Sequence, residues 1–216
     1  MNLKYRRVPL LNLRKKKAIE VNAYMPYGLK DLNIVAPFMK PSKNSNPEVA
    51  SCYGMRELQK RSLTIKAWQH IDVKQSDGTV SFDVTSEKFF GSDQHPSHLE
   101  GVQVIKVVPP ITLTCDEDID WISCSTPFAN HPLNILSGIV NFKYDHQPNF
   151  FIYFDAKKEL EYTITPLMPL FHLVPLVDRP VKVNYIYDWN EGVKIREKFR
   201  IWPKYNLYKR IKAIRG

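Results

Sequence analysis

Glycine is scarce in this chain, with 8 residues in 216 against 16 prolines. That balance leaves no glycine-rich phosphate loop, whose backbone must enter positive φ and approach an anion closely. It suits short strands and rigid turns rather than long helices. Cysteine is also sparse: Cys52, Cys115 and Cys124 are an odd set with no C-x-x-C pair. They point to a reduced intracellular setting, not a disulfide framework. Cys115 and Cys124 are expected to face each other across a hairpin as small buried apolar residues, not as a bridge. No apolar run approaches the ~20 residues a membrane-spanning helix needs. Val8 to Leu13 is too short for the apolar stretch of a secretory signal.

Acidic residues are missing from the first 17 positions, which carry Lys4, Arg6, Arg7, Arg14, Lys15, Lys16 and Lys17, a charge of +7. Residues 192–216 carry +8, and the remainder −6, within a total of +9. A mildly acidic body thus has two basic ends. The plain reading of a charge run is a solvated tail. The alternative is a pair of anchors for an acidic partner, either another subunit or nucleic acid.

A chain of 216 residues, 44% of them hydrophobic, can build one substantial core. Residues 1–49 are interrupted by Pro9, Pro26, Pro37, Pro41 and Pro47 and read as an extended basic arm with loops. Val49 to Lys60 reads as a short helix. Residues 50–190 read as a β-rich body. Ser62 to Trp68 alternates, and Ile71 to Val73 and Thr79 to Val84 flank Ser76-Asp77-Gly78, a hairpin signal. Strands are further predicted at Val102 to Val108, Ile111 to Cys115 and Ile119 to Cys124, the last two around the acidic turn Asp116 to Asp118. More follow at Ile135 to Tyr144, Asn149 to Phe154, Glu159 to Thr165, Leu170 to Leu176 and Val181 to Tyr187. Residues 191–216 read as a basic strand (Val193 to Trp202), then a short basic helix with Leu207, Ile211 and Ile214 on one face. So many short strands give a mainly β fold, a sandwich or barrel type.

Within this pattern, residues 137–176 (SGIVNFKYDHQPNFFIYFDAKKELEYTITPLMPLFHLVPL) resemble the third-motif hairpin of the trimeric dUTPases and dCTP deaminases. Those enzymes run G-V-I-D-x-D-Y, a strand, a turn, and a strand ending in a G-x-x-x-x-Q-L-type segment. This chain departs at two places: Asn141 stands where the enzymes place a carboxylate, and Leu167 where they place a glycine. A second resemblance runs from about Cys52 to Asp188, some two-thirds of the chain. It rests on Cys52-Tyr53-Gly54-Met55, Ile65 to Gln69, Ile105-Lys106-Val107 before Pro109-Pro110, Pro127 with Asn130, Ser137-Gly138-Ile139-Val140, and Pro169 followed by Val174-Pro175. These are similar to a protein family of marine tailed phages and some bacteria that has no established activity. Together the resemblances imply a β-clip (dUTPase-like) or jelly-roll-like body with an extended N-terminal arm and a short basic C-terminal helix. They imply a homotrimer in a virion, made in the host cytoplasm.

Chemistry is harder to find. An amide such as Asn141 cannot serve as a general base, and Asp145, in the turn after Tyr144, is expected to be exposed. His95-Pro96-Ser97-His98, with Asp93 and Glu87 nearby, lies on a proline-containing loop without a second ligand pair, so no metal site is assigned. Asp116, Glu117, Asp118 and Asp120 lack the glycine turn of a calcium loop and read as an exposed hairpin turn. No serine sits in G-x-S-x-G, and Cys52 has no assignable base. Phe150, Phe151, Tyr153 and Phe154 offer stacking faces for bases, but in an alternating strand they fit a core or interface better.

The expectation is therefore a non-enzymatic phage structural or accessory protein, capsid-associated or of decoration type, with no cofactor, no metal and no membrane contact. Its partners would be other virion subunits, or nucleic acid through the basic ends. The anchors would be the seven N-terminal cations together with Lys209, Arg210, Lys212 and Arg215. Val8, Leu10, Leu11 and Leu13 would be apolar anchors against a neighbouring surface. Two alternatives stand beside it: a divergent nucleotide hydrolase or deaminase-like enzyme of the dUTPase fold, and a nucleic-acid-binding or host-interfering phage protein.

Overall fold

Ile19, Val21 and Ala23 alternate with Glu20, Asn22 and Tyr24, and this run forms the first strand, β1 (Ile19–Tyr24), with its apolar set fully buried. The computed structural model describes residues 16–36, 54, 61–76, 79–84, 102–126, 134–155 and 157–200. Residues 19–24, expected within an arm with loops, form this core strand instead. The prolines around it masked a clean period of two. A 3-10 turn (Tyr27–Leu32) and β2 (Val35–Ala36) follow.

The strands that come next are β3 (Leu63–Lys66), β4 (Ile71–Ser76), β5 (Thr79–Val84), β6 (Val102–Val107), β7 (Thr112–Thr114) and β8 (Trp121–Ser125). After them come β9 (Asn134–Leu136), β10 (Gly138–Val140), β11 (Phe150–Asp155), β12 (Leu160–Ile164), β13 (Pro169–Pro175) and β14 (Val181–Ile186). The fold is mainly β. The described strands form four sheets, ordered β14-β1-β7, β10-β8-β13-β3-β2, β6-β11-β9 and β12-β4-β5. In the β4–β5 hairpin Ser76 lies opposite Thr79, on either side of the Asp77-Gly78 signal.

Three expectations change. The single strand at Ile135 to Tyr144 is two strands in different sheets: β9 pairs with β11, while β10 pairs with β8. Cys115 and Cys124 do not face across a hairpin. β7 pairs with β1 and β8 with β13, so the acidic turn carries the chain from one sheet to another. Both thiols are free, and burial raises their pKa. Finally, the described part of the expected strand at Val193 to Trp202 is helical, within α1 (Trp189–Arg200). Asp188 caps it, its carboxylate accepting the Glu191 N–H at 3.0 Å, and Asp188 with Glu191 has the spacing of a capping box. Gly192 lets the helix lie close on the sheet, because a Cβ there would sit 2.8 Å from Tyr24 Cβ. The Val49 to Lys60 helix, apart from Gly54, and the basic helix around Leu207 to Ile214 lie outside the described residues.

The core gathers Trp121, Phe142, Phe150 and Phe171, each at most 1% exposed. Trp121 packs on Phe142 at 5.5 Å and Phe150 on Phe171 at 4.3 Å between ring centroids. Phe150 is thus core and offers no stacking face to a base.

Candidate functional site

Asn141 follows β10 and is only 6% exposed. Its amide nitrogen donates to Asp118 Oδ1 at 2.8 Å and to Asp120 Oδ1 at 2.9 Å. Its amide oxygen accepts the Lys143 N–H at 3.1 Å. The Asn141 carbonyl accepts from the N–H groups of Tyr144 and Asp145, and the Tyr144 hydroxyl donates to Asp118 Oδ2 at 2.9 Å. One side chain therefore ties the 118–120 segment to the 141–145 turn. A carboxylate could not do this, since it has no hydrogen to offer the two aspartates. Asp145 is exposed in its turn, as expected.

The same turn is stitched to β7. Phe142 is fully buried, its carbonyl accepts from Cys115 N, and Leu113 N donates to the His146 carbonyl at 2.8 Å. His146 Nδ1 lies 2.9 Å from the Phe142 carbonyl and 3.3 Å from that of Leu113. Burial lowers the His146 pKa, against a smaller upward pull from these two carbonyls.

A second polar group lies inside the five-stranded sheet. His172, 1% exposed, holds Nδ1 3.0 Å from Ser62 Oγ. Burial pushes its pKa down to about 4. Its Nε2 and the hydroxyl of Thr64, the residue opposite it, make no hydrogen bond in the structure. A serine beside a histidine has the form of a nucleophile and base. Here Ser62 is fully buried, where a substrate in solvent does not reach it.

The third group is an ionic corner where the chain enters β1. Arg179 grips Glu117 with two nitrogens, at 2.5 and 2.8 Å. It also donates to the Lys17 carbonyl at 2.8 Å and the Ala18 carbonyl at 3.3 Å. Asp178 pairs with Lys16 and, at 2.6 Å, with Arg61. The hydrogen bond from Arg179 holds the Glu117 carboxyl below its usual range, and the one from Lys16 does the same for Asp178.

Of the residues singled out in the sequence, Asn141, Asp118, Asp120 and Tyr144 come together. Glu117 goes instead to Arg179, which corrects the reading of one exposed acidic turn. No group of three or more His, Cys, Asp or Glu suited to a metal occurs among the described residues. Lys16 and Lys17 are at the corner. The other basic anchors, the apolar anchors Val8, Leu10, Leu11 and Leu13, and His95 with His98 lie outside the described residues. Sequence reasoning missed Arg179, Arg61 and the Ser62–His172 pair, because their partners are distant along the chain and ion pairs leave no spacing signal.

Comparison with protein-family models, curated proteins and solved structures gives no match. No helix among the described residues is long and apolar enough to cross a membrane.

Proposed function

We propose that this protein is a non-enzymatic structural or accessory subunit of a phage particle, capsid-associated or of decoration type. It is a homotrimer with a β-clip, dUTPase-like body that acts through subunit contacts. The observation that carries the non-enzymatic part is the Asn141 amide. At the position where the resemblance calls for a water-activating carboxylate, both amide hydrogens are already spent on Asp118 and Asp120. The group works as a tie, not a base. The virion role is supported by the phage-family resemblance and by basic ends of +7 and +8 on a body of −6, which favour large contacts with acidic neighbours. No cofactor takes part.

The test is quantitative mass spectrometry of purified particles, together with incubation of the pure protein with dUTP, dCTP and magnesium. The expected result is a fixed copy number that is a multiple of three, with no turnover. Absence from particles, or saturable nucleotide hydrolysis, overturns the reading.

A further inference from the structure

One apolar stripe on the described surface has no cover. In the five-stranded sheet Ile139 lies opposite Ile122, and Ile122 opposite Val174. Directly opposed residues share a face, so these three form a row across three strands. Ile139, on the edge strand, is 70% exposed, and Ile122 and Val174 are partly exposed. Past Pro175 the chain leaves the sheet, with Leu176 N donating to the Asp120 carbonyl at 2.8 Å. There Leu176 is 53% and Val177 37% exposed. Val174 to Asp178, with Arg61, line a groove of about 450 Å³.

The donor segment starts at the same corner. Lys16 is pinned to Asp178, a residue of the groove wall. Fifteen residues precede it, including Val8, Leu10, Leu11 and Leu13. An extended six-residue segment spans about 20 Å. Two strand spacings are about 10 Å, so such a segment covers both the row and the groove.

We infer that the segment Val8 to Leu13 of a second copy occupies this stripe. Charge argues against the chain's own segment. Arg14 to Lys17 are four consecutive cations. Folding back would bring Arg14 and Lys15 onto Lys16, Arg61 and Arg179, where Asp178 and Glu117 are already paired. A segment from another copy enters from the Ile139 end, over apolar surface, and keeps its cation run away from that corner. Each copy gives a segment to one neighbour and takes one from another, a head-to-tail contact that closes into a ring. The inference rests on the proposed function only for the number three.

The experiment uses the full chain. Leu11→Cys and Leu176→Cys variants are mixed and mildly oxidised, with each variant alone as the control for the native cysteines. The mixture is expected to give a reducible species of twice the chain mass, and the joined 11–176 peptide by mass spectrometry. The double variant is expected to give a ladder ending at three. A ladder ending at two keeps the contact and overturns the trimer. A linked monomer alone, with nothing in the mixture, overturns the second copy as donor. No linkage in either sample overturns the stripe as the receiver. An independent readout is Leu176→Asp, checked for native circular dichroism. It is expected to shift sedimentation toward the monomer, and unchanged sedimentation overturns the inference. Absence from purified particles would sink the virion reading and leave this contact standing.

Discussion

Two sheets of this molecule treat water differently. In the β12-β4-β5 sheet, β4 alternates strictly, with Ile71 and Val73 buried and Asp72 and Lys74 exposed. In the five-stranded sheet, β3 and β13 are buried on both faces along most of their length. A sheet with one wet face writes its geometry into the sequence as alternation, whereas a sheet covered on both sides reads as an apolar run. The doubly covered strands also carry the risk, because His172 and Thr64 on them, with Ser62 just before β3, are polar groups placed where water does not reach.

The largest expected difference between the two is in packing. Phe171→Ala, at a fully buried ring stacked on Phe150, should cost about 3–5 kcal/mol in denaturant unfolding. Lys74→Ala, on the wet face of β4, should stay within about 0.5 kcal/mol. Equal costs would break the distinction.

Next comes acid. His172 has a folded pKa of about 4 against an ordinary 6.5, so the fold favours its neutral form. Its stability contribution is complete above pH 6.5 and is lost as pH falls toward 4. The loss over that window is roughly 3 kcal/mol. The His146 pKa is also lowered and acts in the same direction. His172→Phe should flatten this part of the stability profile between pH 6.5 and 4. A profile as steep as wild type would assign the dependence elsewhere.

Asn141→Asp should come third. It replaces a two-hydrogen donor by a carboxylate facing Asp118 and Asp120, at a cost of about 2–3 kcal/mol at pH 7. The deficit should shrink as pH falls and the carboxylates take up protons. No nucleotide turnover should appear.

The smallest effect belongs to Leu167. Met168 N donates to the Thr165 carbonyl, and Leu167 sits at φ 69° after Pro166, as in a type II turn, which favours glycine at that place. Leu167→Gly should stabilise the fold by up to ~1 kcal/mol, the left-handed strain relieved less the added freedom of the unfolded chain. A destabilised variant would show that the leucine side chain, 44% exposed, has a contact of its own.

What the sequence made legible follows the same division. The β4–β5 hairpin was readable from alternation and Asp77-Gly78. β1 alternates just as well, yet the flanking prolines drew the eye to an arm. In α1, Val193 and Ile195 between charged residues mimic a strand, while the Asp188 and Glu191 pair three apart carried the true signal. Asn141 stood out as a departure, but its partners lie 21 and 23 residues away. Nothing in Asp118 and Asp120 alone distinguishes a held carboxylate from a solvated one. Arg179 and Glu117 are 62 residues apart and meet only once the sheets assemble.

The parallel pairing of β1 with β14, from Ile19 opposite Val181 to Tyr24 opposite Ile186, has a consequence for biogenesis. The first described strand waits for the last. On a ribosome adding roughly 5–20 residues per second, some ten to thirty seconds separate their synthesis. Of its two described partners, β1 has only β7 during that interval, and its other edge is open to any passing strand. Closure of this sheet thus waits until β14 has emerged. The nascent chain is most exposed to misassembly, and to chaperone capture, just before β14 emerges.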